Sequence, residues 1–370
     1  MRNILIGNGV TIQFGGKDYL NDRIIKRAIN NVNTKRFNPA LYPREARDWI
    51  IMLHSQIPSV LNGKYDRYVI HSNEKRSLES FKYRYSNFNK SKRNGVHHVG
   101  FEDYFLLHHL AYNKTGRPDR YQATGGLKRF FIDSIYNSGK IQEVHTKYPS
   151  AFVSYLREFD IVFTTNYDQN IEKAAKREVK YLHGSFHQLD EVYDPDSFRN
   201  KLSDRPSDKT PVVPGFEHLY SNALTSYSGE DKMFTLNQGR SANSGIEKSL
   251  NYIAANKEEG LNMLEDWKKA DNKLINRVAE MIELAQYDKE HLFKEYSAIS
   301  ELSECEGELV ILGLSPNNDT HLFDIINQNS KLTHITFYYF DPSEAEEAIK
   351  LFESKIVLCN KVIDFWENYE

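Results

Sequence analysis

Three segments of this chain carry residues able to do proton chemistry on a sugar or its substituents. The first, Thr164-Thr165-Asn166-Tyr167-Asp168, ends an apolar run that begins at Asp160. An amide such as Asn166 donates and accepts at once, so it can bind ribose hydroxyls or hold a water. Asp168 can cap a helix expected from Gln169 to Arg177 or turn its charge towards a ligand. The second, His183-Gly184-Ser185, follows the short run Val179 to Leu182. A histidine there can act as general base near neutral pH where it reaches a hydroxyl or a water. A lone histidine is otherwise a structural residue with its hydrogen bonds satisfied. The third, Asn317-Asn318-Asp319 after Gly313-Leu314-Ser315, offers Asp319 as a helix cap or a ligand contact.

Phosphate chemistry has its own candidates. Gly7-Asn8-Gly9 directly follows the apolar run Asn3 to Ile6. Missing Cβ atoms there would let backbone N–H groups approach a pyrophosphate, although a bare G-x-G also serves as a plain tight turn. Gly313 allows close approach of an adenosine, and Ser315 could donate to phosphate or ribose. Thr165, Gly184 and Asp341, each at a strand end, complete the cofactor-binding candidates. No metal centre is expected. Gly184 and the preceding strand argue against a helix that would pair His183 with His187, and His97-His98 and His108-His109 lack a nearby thiol or carboxylate cluster.

These residues must be positioned by the runs that precede them. Five runs read as strands: 3–6, 160–164, 179–182, 308–312 and 334–340. Continuous apolar runs suit a parallel sheet covered on both faces, and ligands meet such sheets at the carboxyl ends of the strands. The expected fold is α/β, a Rossmann-like parallel sheet with large, mainly helical inserts. Residues 1–37, 155–187 and 304–370 would form the nucleotide-binding domain, 38–154 a helical insert, and 188–303 a lid loop followed by a helical insert. The polar stretch 188–244 reads as the loop, and helical periodicity returns from Gly245 to about Ser303.

Composition removes several other classes. The chain has 370 residues, 40% hydrophobic and 27% charged, with 23 Tyr and 21 Phe, which suits filled cores rather than disorder. Two cysteines, Cys305 and Cys359, cannot build a disulfide framework or a four-cysteine zinc site, so a reducing cytoplasm is the expected home. No apolar run approaches the ~20 residues of a membrane span, and no signal peptide is read at the N-terminus. A net charge of −3 gives no overall pull to nucleic acid. Segment 64–93 interleaves Lys and Arg with Tyr and Phe, which is compatible with single-stranded nucleic acid, but Glu74 and Glu79 dilute it and favour a solvated face or a protein contact.

Taken in order, Gly7-Asn8-Gly9, Thr164-Thr165-Asn166-Tyr167-Asp168, Leu182-His183-Gly184-Ser185 and Leu312-Gly313-Leu314-Ser315 resemble the sirtuin signature series. The form is similar to the divergent sirtuin-like proteins of bacterial anti-phage defence, and the Gly-Asn-Gly opening to abortive-infection proteins of the AbiH type. The resemblance implies a sirtuin-type fold, a pyrophosphate loop at Gly7 to Gly9, an Asn-Asp motif beside the nicotinamide ribose, His183 as catalytic histidine and a Gly-Ser turn contacting the dinucleotide. The missing zinc ribbon and the long inserts turn the expectation from deacylation to hydrolysis of NAD as substrate, giving nicotinamide and ADP-ribose. It further implies NAD depletion in abortive infection, a homo-oligomer and a HerA-like ATPase or other activating defence protein as partner. Three other readings stay open: a silent NAD or ADP-ribose sensor, a nucleic-acid-binding subunit with a vestigial nucleotide fold, and an NAD-dependent protein deacylase.

Overall fold

The computed structural model describes residues 1–34, 38, 41, 45–92, 94–117, 119–193, 197–202, 212–224 and 229–369. Its centre is a six-stranded sheet, every pair parallel. The strands are β1 (Arg2–Ile6), β2 (Ile161–Thr164), β3 (Lys180–Tyr181), β4 (Gly307–Leu312), β5 (Leu332–Tyr339) and β6 (Ile356–Lys361). Their order is β3-β2-β1-β4-β5-β6, the Rossmann-like arrangement, in which β1 pairs with β2 on one side and β4 on the other. The chain reverses its direction of travel across the sheet between β1 and β4, and the crevice beyond the carboxyl ends of those strands is where such sheets take ligands.

The helices are α1 (Asn8–Gly15), α2 (Asn21–Asn31), α3 (Ala46–Leu61), α4 (Ser72–Arg84), α5 (Phe101–Thr115), α6 (Arg120–Tyr136), α7 (Ser150–Arg157), α8 (Asn170–Ala175) and α9 (Phe198–Leu202). They continue with α10 (Gly229–Ala255), α11 (Lys257–Lys269), α12 (Lys273–Tyr287), α13 (Ile299–Glu304), α14 (Thr320–Gln328), α15 (Pro342–Leu351) and α16 (Val362–Tyr369). The first insert is helical as its periodicity predicts. Residues 42–44, shortly before α3, lie outside the described residues.

Strand alternation divides the core. Ile4 and Ile6 turn to one face with Val162, Val310 and Leu312 and belong to a hydrophobic cluster that extends to Leu53, Phe81, Leu107 and Phe131 of the insert helices α3 to α6. Leu5, Phe163, Leu309 and Ile311 turn to the other face, under α13, α14 and α15. Both faces being covered explains the uninterrupted apolar runs. A third cluster, holding Ile246, Leu264 and Ile282, makes α9 to α12 a small bundle with its own core.

Two expectations are corrected. The 188–244 stretch is not one long loop, because α10 already begins at Gly229. Glu230 and Asp231 sit in its first turn, where acidic groups complement the helix dipole, and Leu236 is buried. Residues 194–196, 203–211 and 225–228 of that stretch lie outside the described residues. The sixth strand, β6, was not among the runs read as strands. It is the sheet edge, its Ile356 and Leu358 exposed, so it lacks the continuous apolar signature of the buried strands.

Candidate active site

A cavity of about 520 Å³, ample for a small-molecule ligand, opens beyond the carboxyl ends of β1, β2 and β3. Asn8, Thr165, Asn166, Asp168 and His183 all line it, so five of the expected residues converge. Asp319 and His321 line it from the start of α14, and Arg76 and Arg84 of α4 from the insert.

The strand-end loops are tied together before any ligand is considered. The Gly7 amide donates to the Leu312 carbonyl and the Gly9 amide to the Gly313 carbonyl, each at 2.9 Å. A Cβ on Gly7 would lie 2.4 Å from the Gly313 oxygen, and one on Gly9 2.6 Å from the Gly313 Cα. The glycines therefore allow the β1 and β4 loops to touch, and only Asn8 of the Gly-Asn-Gly segment reaches the cavity. Gly313 and Ser315 do not line it. The Ser315 carbonyl accepts from the Asn318 and Asp319 amides, which forms the turn that presents Asp319. Asp341 is a correction. It is the N-cap of α15, accepting from the Ser343 amide at 2.9 Å in a capping box, and it does not line the cavity.

Asn166 is fixed by its amide nitrogen, which donates to Thr11 Oγ1 at 3.1 Å and the Gly7 carbonyl at 3.4 Å. Its Oδ1 makes no hydrogen bond among the described residues. Asp168 accepts from the Asn170 amide (3.0 Å) and Asn170 Nδ2 (2.6 Å) through Oδ1 alone. Its Oδ2 is buried with no partner. Burial pushes this carboxyl up to about 6, since the charged form has lost its water. Gly184, at φ +80°, presses against the Asn222 carbonyl and lines a second cavity, of about 100 Å³, which shares His183 with the first.

His183 Nε2 lies 3.2 Å from His321 Nε2, with the rings tilted 20° from parallel. Asp319 Oδ1 is 3.8 Å from the same His183 atom. Burial first, then the Lys232 ammonium and His321, hold His183 well below the ordinary histidine range, so its ring is neutral at rest. The contact with Asp319 is therefore not an ion pair until His183 takes up a proton. Burial, reinforced by Lys232, takes His321 down to about 3. Burial also raises Asp319 to about 7, against the pull of Lys232 and with a push from Glu102. Lys232 of α10 and Glu102 of α5 are themselves paired at 3.5 Å.

His183, Asp319 and His321 place donor atoms within 4.8 Å of one another, close enough in principle for a divalent cation. The Lys232 ammonium acts on all three groups, and that field opposes a cation there.

Sequence reasoning missed His321 and the Lys232–Glu102 pair. The available signal was the Asp319-Thr320-His321 spacing at the first turn of the helix after β4. Three basic residues of segment 64–93 are paired with carboxylates: Arg76 with Glu230, Lys82 with Asp66 and Arg84 with Asp103. Arg93 lies outside the described residues. Comparison with protein-family models, with curated proteins and with solved structures returns no match to this chain, so the reading of its function stands on the residues and geometry of this cavity.

Proposed function

We propose that this cavity binds NAD and hydrolyses its nicotinamide–ribose bond. The observation that carries the reading is the convergence of Asn166, Asp168 and His183 on one cavity at the strand ends, with a buried carboxylate oxygen left unpaired there. Nicotinamide leaves as a neutral base from a cationic ring, so little acid assistance is needed and the transition state is oxocarbenium-like at the ribose. A positive charge developing on the sugar is the partner that Asp168 Oδ2 lacks. Asn166 Oδ1 accepts from a ribose hydroxyl or the attacking water. His183, neutral at rest, takes the proton released, a contribution typically worth ~10²–10⁴ in rate.

The pyrophosphate end of the dinucleotide meets Asn8, because the Gly7 and Gly9 amides are engaged with the β4 loop. NAD depletion in anti-phage abortive infection, self-assembly through the inserts and activation by a HerA-like ATPase belong to the same proposal. Size-exclusion chromatography with and without such a partner, beside NAD turnover, tests the last two.

Purified protein is incubated with NAD, and nicotinamide and ADP-ribose are followed by chromatography. Release by wild type, and its loss in folded Asn166→Ala and His183→Ala proteins, is expected. Unchanged release in both variants would sink these assignments. NAD binding without turnover, unaffected by His183→Ala, would favour the sensor.

A further inference from the structure

Two neutral imidazoles whose Nε2 atoms lie 3.2 Å apart share one proton: one nitrogen is the donor and the other offers its lone pair. Which one donates decides which atom of His183 remains a base. His183 Nδ1 makes no hydrogen bond among the described residues, and His183 lines both cavities. Asp319 is the second observation. It occupies the N-cap of α14 yet its side chain accepts no cap hydrogen bond, and its Oδ1 lies beside His183 Nε2 instead.

We propose that His321 and Asp319 are positioning residues for His183. His183 Nε2–H donates to His321 Nε2, which leaves Nδ1 as the atom that takes up a proton, and Asp319 Oδ1 holds the imidazolium that results. The proposal rests on the reading of His183 as the base in NAD hydrolysis. The proton leaves a ribose hydroxyl or the attacking water and adds to Nδ1. The ring keeps Nε2–H, gains one positive charge, and finds the Asp319 carboxylate 3.8 Å away. No bond to the protein forms, and the proton returns to solvent after the products leave. The opposite arrangement, with His321 donating, would occupy the Nε2 lone pair and put a hydrogen on Nδ1, so His183 could accept nothing.

The charged and titratable groups facing this trio are Lys232 from α10, Glu102 from α5 and Tyr167 from the loop after β2. Lys232 opposes a proton on His183, whereas Asp319, once ionised, favours it. Asp319 becomes an anion as pH rises through about 7, so the rate should rise with pH across that region.

The test uses the full chain with isotope-labelled histidine and reads the His183 tautomer by long-range ¹H–¹⁵N correlation. The Nε2–H form is expected in wild type and in His321→Asn, whose amide oxygen also accepts, and is expected to be lost in His321→Leu. In wild type the His183 nitrogen shifts should move as Asp319 ionises through about pH 7, and in the near-isosteric Asp319→Asn that step should be absent. In turnover, His321→Leu and Asp319→Asn should lose about 10- to 100-fold in kcat with KM nearly unchanged, the scale of an orienting partner. The rise through pH 7 should vanish in Asp319→Asn. The proposal is overturned by an Nδ1–H tautomer in wild type, by a His183 titration indifferent to Asp319→Asn, or by one divalent metal ion per purified chain in elemental analysis. If wild type releases no nicotinamide, the functional reading fails, and the tautomer and titration measurements still decide the positioning.

Discussion

Asp168 is held in the cavity wall with one oxygen satisfied by Asn170 and the other by nothing. Its folded-state value, about 6, lies above the 3.8 of an ordinary aspartate, so the folded chain binds this proton more tightly than the unfolded chain. The associated stability is fully present below about 4 and is lost as pH rises through 6. Asp168→Asn keeps an acceptor for Asn170 and removes the buried charge. It should stabilise the protein above pH 6 by about 1–3 kcal/mol, with the gain fading towards pH 4, as read by urea denaturation at several pH values. Nicotinamide release should fall in the same variant, the usual conflict between stability and a functional group. A variant less stable than wild type at pH 8 would refute this account. Asn166, Asp168 and His183 were legible in the sequence because each follows a buried strand at a fixed spacing. His321 was not, since a histidine in a first helical turn carries no mark until the fold sets it against another.

Strand ends are held together here by glycine contacts that tolerate no side chain. Gly184 adopts φ +80°, and a Cβ would lie 2.3 Å from the Asn222 carbonyl oxygen. Gly184→Ala should cost about 2–4 kcal/mol and disturb His183 next to it, with a lower denaturation midpoint and a larger loss of turnover than of stability. An alanine variant as stable as wild type would show that the Asn222 segment yields freely. Strands β1, β2 and β4 were readable because burial on both faces demands apolar runs. The edge strand β6 alternates exposed and partly covered positions, and the part of α10 before Gly245 includes Gly239, so neither declares itself by pattern. Gly239 finds its reason only in three dimensions, where a Cβ would lie 2.6 Å from the Phe293 ring.

At the scale of the molecule, the sheet and the α9–α12 bundle have separate hydrophobic clusters. Ile282, fully buried in the bundle, tests their independence. Ile282→Ala should cost about 2–5 kcal/mol, and amide exchange should quicken in α11 and α12 while the sheet stays protected. Uniform acceleration through β1 and β4 would mean that the clusters unfold as one. Among the described residues no helix is long and apolar enough to cross a membrane. The Rossmann-like order could be anticipated only as a class, since nothing local states that residues 2–6 will pair with residues 308–312. That pairing has a consequence for the chain during its synthesis. At about 5–20 residues per second, translation reaches Asp319 and His321 tens of seconds after Asn8 has been made. Until then β1 lacks a neighbour on one side and the cavity lacks a wall. A nascent or truncated chain ending before β4 carries an open, unfinished cavity, so strand order alone delays whatever chemistry the site performs until β4 and the start of α14 have been made.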